Sequence, residues 1–245
     1  MKALILAAGY ATRLYPLTED YPKPLLKVGA KPIIDYIVDK LEKLAGIDEI
    51  IVVTNSRFIS HFRAWQRGLK LKKPLSLVDD LTKSLKDKRG AIGDMDFAIA
   101  KKGIRDDLLI IGGDNIFDGD LENFLLFARN NKPNPVIGAY KIKDKKETKK
   151  YGVLGLDKKK RIIDFQEKPD KAKSRLIAMC LYYFPKEKLH LIRGYLSAAR
   201  GKRDATGFYI DWLRKRVPVY GYEFKGHWFD IGDSKFYKAA KNIFK

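Results

Sequence analysis

The stretch that most constrains this chain is residues 5–24. An apolar run from Ala3 to Ala8 breaks at Gly9 and is followed by Thr12, Arg13 and the tripeptide Pro22-Lys23-Pro24. A short apolar run entering a glycine turn predicts a first strand that opens into a loop of small residues. Such a loop turns backbone N–H groups outward, which suits an oligophosphate. Arg13 and Lys23 add the positive charge that a triphosphate requires. No Gly-Lys-Ser/Thr follows, so this is not a P-loop. Ala11 and Leu14 break the dinucleotide pattern G-x-G-x-x-G. The residues predict a phosphate-handling enzyme.

A chain of 245 residues can bury a full core, and one compact domain is expected. No apolar run approaches the length of a membrane span, so no membrane partner is expected. Cys180 is the one cysteine, which excludes an internal disulfide and fits a reducing cytoplasm. The net charge of +20 raises the question of nucleic acid. The lysines, however, are spread along the chain rather than gathered into a stripe with interleaved aromatics. Nucleic acid is therefore not expected as a partner. Anionic substrates and a lysine-rich, thermophile-like surface account for the charge. The densest basic runs, 141–150 and 158–161, are expected to be solvated.

Strand and helix patterns alternate through the first half, which predicts βαβ units and a mostly parallel sheet. Pro32 opens a helix whose apolar face runs through Ile33, Ile37, Leu41 and Leu44 until Gly46. Residues 50–53 form a strand, and Asn55-Ser56 caps a helix lined by Phe58, Phe62, Trp65 and Leu69. A strand at 75–78 and a helix over 92–102 follow. The wholly apolar strand 108–111, buried on both faces, stops at Gly112-Gly113-Asp114-Asn115. Hairpin-like strands at 135–142, 152–156, 161–166 and 176–184 predict an antiparallel extension covering the open side of the sheet. A helix at 205–216, strands at 217–224 and 227–231, and a closing helix capped by Asp233 complete the chain.

Parallel strands put their carboxyl ends on one edge, where ligands of open α/β sheets bind. The Gly9 loop and Asp114 should therefore share one crevice. A carboxylate beside a phosphate loop calls for a divalent cation between them. Mg²⁺ fits, since it takes one or two carboxylates plus phosphate oxygens. His61 and His190 have no metal-ligand spacing with each other or with Cys180, and His227 and Trp228 are expected to pack.

The string G-x-A-T-R-x-x-P-x-T-(x)₃-P-K-P resembles the N-terminal motif of the sugar-1-phosphate nucleotidylyltransferases, G-x-G-T/S-R with a downstream P-K-P. Gly113-Asp114-Asn115 resembles that family's metal motif, residues 226–233 its W-x-D-x-G segment, and Tyr151-Gly152-Val153 with Glu167-Lys168-Pro169 its Y-G-V and E-K-P. The resemblance spans nearly the whole chain, in order. It implies a Rossmann-like mixed, mostly parallel sheet flanked by helices, with an antiparallel sugar-binding extension. A nucleotide-binding core over 1–134 would be followed by a sugar-phosphate-binding half over 135–245. No C-terminal β-helix domain of the longer relatives is expected.

By the same resemblance, Leu6, Ala7, Ala8, Gly9, Thr12 and Gly90 contact the nucleotide, and Asp114 and Asp230 hold Mg²⁺. Arg13 steadies the β- and γ-phosphates, while Lys23 bridges the attacking phosphate and the α-phosphate. Gly152 approaches the sugar, Glu167 accepts its hydroxyls and Lys168 touches its phosphate. The substrates implied are an NTP, dTTP or UTP, and a sugar 1-phosphate, glucose 1-phosphate first; a homo-oligomer stays open. Ala11 stands where the family has its second glycine. Alanine disfavours φ > 0, so slightly different loop dihedrals are expected. Residues 89–94 match the nucleobase loop only in part. Two alternatives remain: a cytidylyltransferase acting on phosphocholine, and a non-catalytic regulatory module of the same fold.

Overall fold

The computed structural model describes residues 1–198 and 205–243. Strand β1 (Lys2–Leu6) lies in the middle of a nine-stranded sheet. A small hairpin, β2 (Lys27–Val28) and β3 (Lys31–Pro32), leads into helix α1 (Ile33–Lys43). Then come β4 (Glu49–Thr54), α2 (Ile59–Arg67), β5 (Leu75–Asp79), α3 (Ala91–Lys102) and β6 (Leu108–Gly112). β1 pairs in parallel with both β4 and β6, and β4 with β5, which is the βαβ organisation anticipated above.

Side chains alternate along these strands and feed two cores. Ala3, Ile5, Ile50, Val52, Leu109 and Ile111 face α1, α2 and α4 (Leu121–Asn130). Leu4, Ile51, Val53, Leu108 and Ile110 face α3, α5 (His190–Ala198) and α6 (Thr206–Arg214). Each fully buried aliphatic side chain here contributes about 1.5–3 kcal/mol. Helices α4 and α5 are absent from the elements anticipated above. For α4 the signs were available: Asp120 accepts from the Glu122 amide, and Leu121, Phe124, Leu125 and Ala128 recur at helical spacing.

The second half forms the antiparallel extension anticipated above, added at the open edge of the sheet. β8 (Val136–Lys141), β9 (Gly152–Leu156), β10 (Ile162–Glu167) and β11 (Leu176–Phe184) all join it. β11 pairs antiparallel with β6, and β12 (Tyr220–Phe224) closes the far edge against β8. The reason is physical. The β6 edge is wholly apolar and unpaired without a neighbour, and β11 supplies one. Finally β7 (Asn115–Phe117) pairs with β13 (Trp228–Asp230), and α7 (Ser234–Ile243) follows.

Helix α2 also differs from expectation. It begins at Ile59 after Phe58, and Asn55 serves the loops instead: its Oδ1 accepts the Phe58 amide and its Nδ2 donates to the Ala8 carbonyl at 2.9 Å. Pro32 is the residue before α1, not its first residue. No helix among the described residues is long and apolar enough to cross a membrane.

Candidate active site

The chain leaves the sheet just after β1. The Ala7 amide still reaches the Val53 carbonyl at 2.8 Å, and Gly113 crosses beneath, its amide 2.8 Å from the Leu6 carbonyl. A Cβ on Gly113 would sit 2.9 Å from that same oxygen, so only glycine permits the approach. Thr54, Asn55 and Thr18 donate to the carbonyls of Ala7, Ala8 and Ala11. A phosphate entering here meets a loop whose carbonyls are already engaged by the protein. Leu6, Ala7, Ala8, Gly9, Thr12 and Arg13 line a cavity of about 470 Å³, and Gly90, at φ 75°, lines its opposite wall.

Ala11 contradicts the expectation drawn from its side chain. It adopts φ 48° and ψ 41°, the left-handed conformation that its Cβ disfavours, at a cost of about 1–2 kcal/mol. The Thr18–Ala11 hydrogen bond at 2.8 Å and the turn over Thr12–Leu14 hold it there.

Lys23 sits in a single turn, Lys23–Leu25, entered from the extended Pro22. Its Nζ lies 2.5 Å from Asp114 Oδ2. Burial alone would depress this ammonium, but Asp114 and then Asp230 outweigh it and hold the pKa above the usual lysine range. Asp230 is brought alongside by the β7–β13 ladder, where it faces Asn115, and by the Ile231 amide donating to the Asp114 carbonyl at 3.0 Å. Burial and the neighbouring Asp114 push Asp230 up to about 7, with Lys23 and Arg13 compensating only in part.

Two half-buried carboxylates side by side, Asp230 pushed up in part by Asp114, form a hard-oxygen donor set. Among the described residues no cluster of three or more His, Cys, Asp or Glu side chains could hold a metal ion. Two carboxylates suit a cation that completes its shell with phosphate oxygens and water.

The second cavity, about 310 Å³, adjoins the first and is lined by Gly152, Glu167 and Lys168. Gly152 and Glu167 face each other across β9 and β10. Burial raises the Glu167 pKa, and Lys168, its Nζ 3.9 Å away, partly offsets that. Every predicted site residue thus falls in one of two joined cavities, and Asp114, Asp230 and Lys168 line both.

Several site residues escaped the sequence reading. Asn115 donates to Asp114 Oδ1 at 3.0 Å and accepts from Trp228 Nε1 at 2.7 Å, a relay that orients the carboxylate. The Tyr182 hydroxyl lies 2.8 Å from Thr206 at the start of α6. Gly207 carries Glu167: a Cβ there would fall 1.7 Å from Glu167 Oε2. Lys150, placed among the solvated lysines, lines both cavities instead. His227 does not pack; it is exposed and its Nδ1 lies 2.7 Å from Asp118. Cys180 lines the junction, and burial pushes its thiol up to about 12, which makes it no nucleophile. On the base side, Arg89 donates to the Asp80 carbonyl and stacks 4.1 Å over Phe97.

A strand-end phosphate loop meeting a buried lysine and paired carboxylates at a sheet's carboxyl edge defines a class of α/β transferase that works on phosphates. Within that class the chain belongs to the nucleotidyl transferase family, whose profile matches residues 2–245. It is 35% identical over 237 residues to the bifunctional protein GlmU of Methanocaldococcus jannaschii, covering 95% of this chain and 51% of that protein. It is 32% identical over 232 residues to a bifunctional sugar-1-phosphate nucleotidylyltransferase/acetyltransferase of Sulfurisphaera tokodaii, covering 95% of this chain and 52% of the relative. The chain thus spans about half the length of these curated relatives. The fold is also that of a UDP-glucose pyrophosphorylase solved with UDP-glucose: TM-score 0.81 at 23% identity, over 99% of this chain and 97% of the other.

Proposed function

We propose that this chain transfers the nucleoside monophosphate of an NTP, dTTP or UTP, to a sugar 1-phosphate, glucose 1-phosphate first, and releases pyrophosphate. The observation that carries this reading is the Lys23–Asp114 pair beside Asp230, where the two cavities join. The names of the Sulfurisphaera relative and of the UDP-glucose pyrophosphorylase point the same way.

A phosphate oxygen of the sugar 1-phosphate attacks the α-phosphorus of the NTP. As that bond forms, the bond from the α-phosphorus to the bridging oxygen of the leaving pyrophosphate breaks. The attacking oxygen is already ionised at neutral pH, so no general base is required, and the neutral Cys180 thiol is left without a part. Catalysis is positioning plus charge neutralisation. The Gly9 loop and Arg13 hold the β- and γ-phosphates. Lys23, kept protonated by its two aspartates, stands between the attacking and α-phosphates. Glu167 accepts from sugar hydroxyls, and Lys168 donates to the sugar phosphate. Mg²⁺ held by Asp114 and Asp230 would supply charge neutralisation on the phosphate oxygens.

One observation favours a second reading. Tyr151, Phe165 and Trp228 line the second cavity with Glu167, the ingredients of a cage for a quaternary ammonium. Phosphocholine with CTP is therefore one arm of the test. Pyrophosphate release with Mg²⁺ is measured across dTTP, UTP, CTP, GTP and ATP, each with a panel of sugar 1-phosphates and phosphocholine. Turnover with dTTP or UTP and a sugar 1-phosphate is expected; silence of folded protein in every cell overturns the enzyme reading.

A further inference from the structure

Negative charge gathers at the junction of the two cavities when the acceptor phosphate enters. The incoming sugar phosphate is a dianion and meets the α-phosphate beside two carboxylates. Lys23 is already committed to Asp114 at 2.5 Å. Among the described residues, the cations that line both cavities are Lys168 and Lys150.

Lys150 ends the turn Lys145–Lys150, directly before Tyr151 and Gly152. Its backbone belongs to the sugar side, because the Tyr151 carbonyl accepts the Lys168 amide at 3.0 Å. Its side chain crosses to the other side of the cleft. Nζ lies 2.8 Å from Glu147, 3.4 Å from Asp233 and 4.8 Å from the centre of the Phe236 ring. Asp233 and Phe236 stand at the start of α7, just past Asp230. The side chain is 37% exposed, so both ion pairs are screened and weak, each worth about 0.2–1 kcal/mol. A phosphate dianion offers the ammonium a stronger, charge-assisted partner. Asp233 keeps its own work when Lys150 leaves, since its Oδ1 accepts the Phe236 amide at 3.0 Å.

We infer that Lys150 is a movable phosphate clamp: parked on Glu147 and Asp233 across the mouth of the cleft, it swings onto the sugar 1-phosphate when that substrate enters. This rests on the reaction proposed above and adds to it a residue that chooses between the two substrates' sites. Arg13 serves the nucleotide side, Lys23 stands between the two phosphates, and Lys150 joins Lys168 on the acceptor phosphate.

The test uses the full chain and whichever NTP and sugar 1-phosphate the wild type turns over, with Tm as the fold control. Lys150→Ala is expected to raise KM for the sugar 1-phosphate by about 10-fold or more while moving KM for the NTP far less. Lys150→Arg should recover most of the loss. Asp233→Asn keeps a capping side chain but loosens the parked lysine, so KM for the sugar 1-phosphate should fall by about twofold. If Lys150 is only a strut for α7, Lys150→Ala and Asp233→Asn both raise the two KM values and lower Tm together, and the inference is overturned. An unchanged KM in Lys150→Ala overturns it too. A silent wild type fails the underlying reading first, and is recognised as such because no variant is then compared.

Discussion

The first cavity, proposed above for the nucleotide, is made largely of backbone, and the second, proposed for the sugar, largely of side chains held by distant elements. On the nucleotide side, residues 6–13 form one continuous loop pinned by Thr54, Asn55 and Thr18. On the sugar side, Glu167 rests against Gly207, Tyr182 meets Thr206, and Lys150 reaches Asp233, 83 residues away. The first construction tolerates little change of backbone and fixes where phosphates bind. The second can be retuned one side chain at a time, so it is where a choice among sugars is easiest to make. Asp114 and Asp230 line both cavities, and Lys23 pairs with Asp114 from the first.

The largest effect should come from that shared centre. Lys23→Ala is expected to lose on the order of 10²–10³ in turnover, as when one preorganised donor is deleted, and to leave Asp114 without its partner. Near-normal turnover would remove Lys23 from the mechanism and dissolve the link between the two sides. Asp114→Asn comes next. Loss of an outer-shell partner costs a metal site about 10–100-fold in affinity, and a direct ligand at least that. The Mg²⁺ concentration for half-maximal rate should rise accordingly, and chelation should silence the wild type; an unchanged metal dependence would show that Asp114 holds no cation.

Gly207→Ala addresses the sugar side alone. The added methyl would overlap Glu167 Oε2 and drive the carboxylate from its place. Since alanine is favoured in a helix, α6 itself should not suffer. KM for the sugar 1-phosphate is expected to rise about 10-fold, with the NTP's nearly constant. Equal changes in both would mean that the two sides are not separable in the way their construction suggests.

How much of this could be read in the sequence follows from the same contrast. The Gly9 loop, Lys23 and Asp114 lie in short continuous motifs, and parallel strand topology places them on one edge. Asn115 stands in the Gly113-Asp114-Asn115 motif, but its bond to Trp228 does not show there. Thr206, Gly207 and Lys150 carry no local mark, because their roles depend on contacts made across the fold. Trp228 reaches Asn115 over 113 residues. Lys150 was hidden in a lysine-rich run where a solvated side chain is the ordinary outcome. The antiparallel extension of the second half is legible in its hairpin patterns, and β11 attaches it to the sheet at the apolar edge of β6. Ala11 was misjudged for a different reason: side-chain preference was weighed without the hydrogen bonds that override it.

A smaller effect concerns pH. Burial raises the Glu167 pKa above its ordinary 4.5, so the folded chain holds that proton more tightly than the unfolded one. Stability is then lost as pH rises from the unfolded value through the raised one, and stays lower above it. Glu167→Gln removes the titration. It should raise Tm by up to about 3 °C above that window and by nothing below pH 4.5, while weakening sugar binding. A fall in Tm above that window instead would mean that the carboxylate is stabilised where it lies.

The smallest effect is reserved for the nucleotide loop. Glycine at position 11 would relieve the left-handed strain of about 1–2 kcal/mol, but it also loosens the unfolded chain by about 0.4–1 kcal/mol. The net for Ala11→Gly is a gain of between about 0 and about 1.6 kcal/mol, read as a small rise in Tm. Ala11→Val points the other way, because a β-branched residue fits that conformation badly. It should lower Tm and raise KM for the NTP, leaving KM for the sugar 1-phosphate in place. If valine harms the two substrates alike, the loop is not the self-contained device that its pinned carbonyls imply.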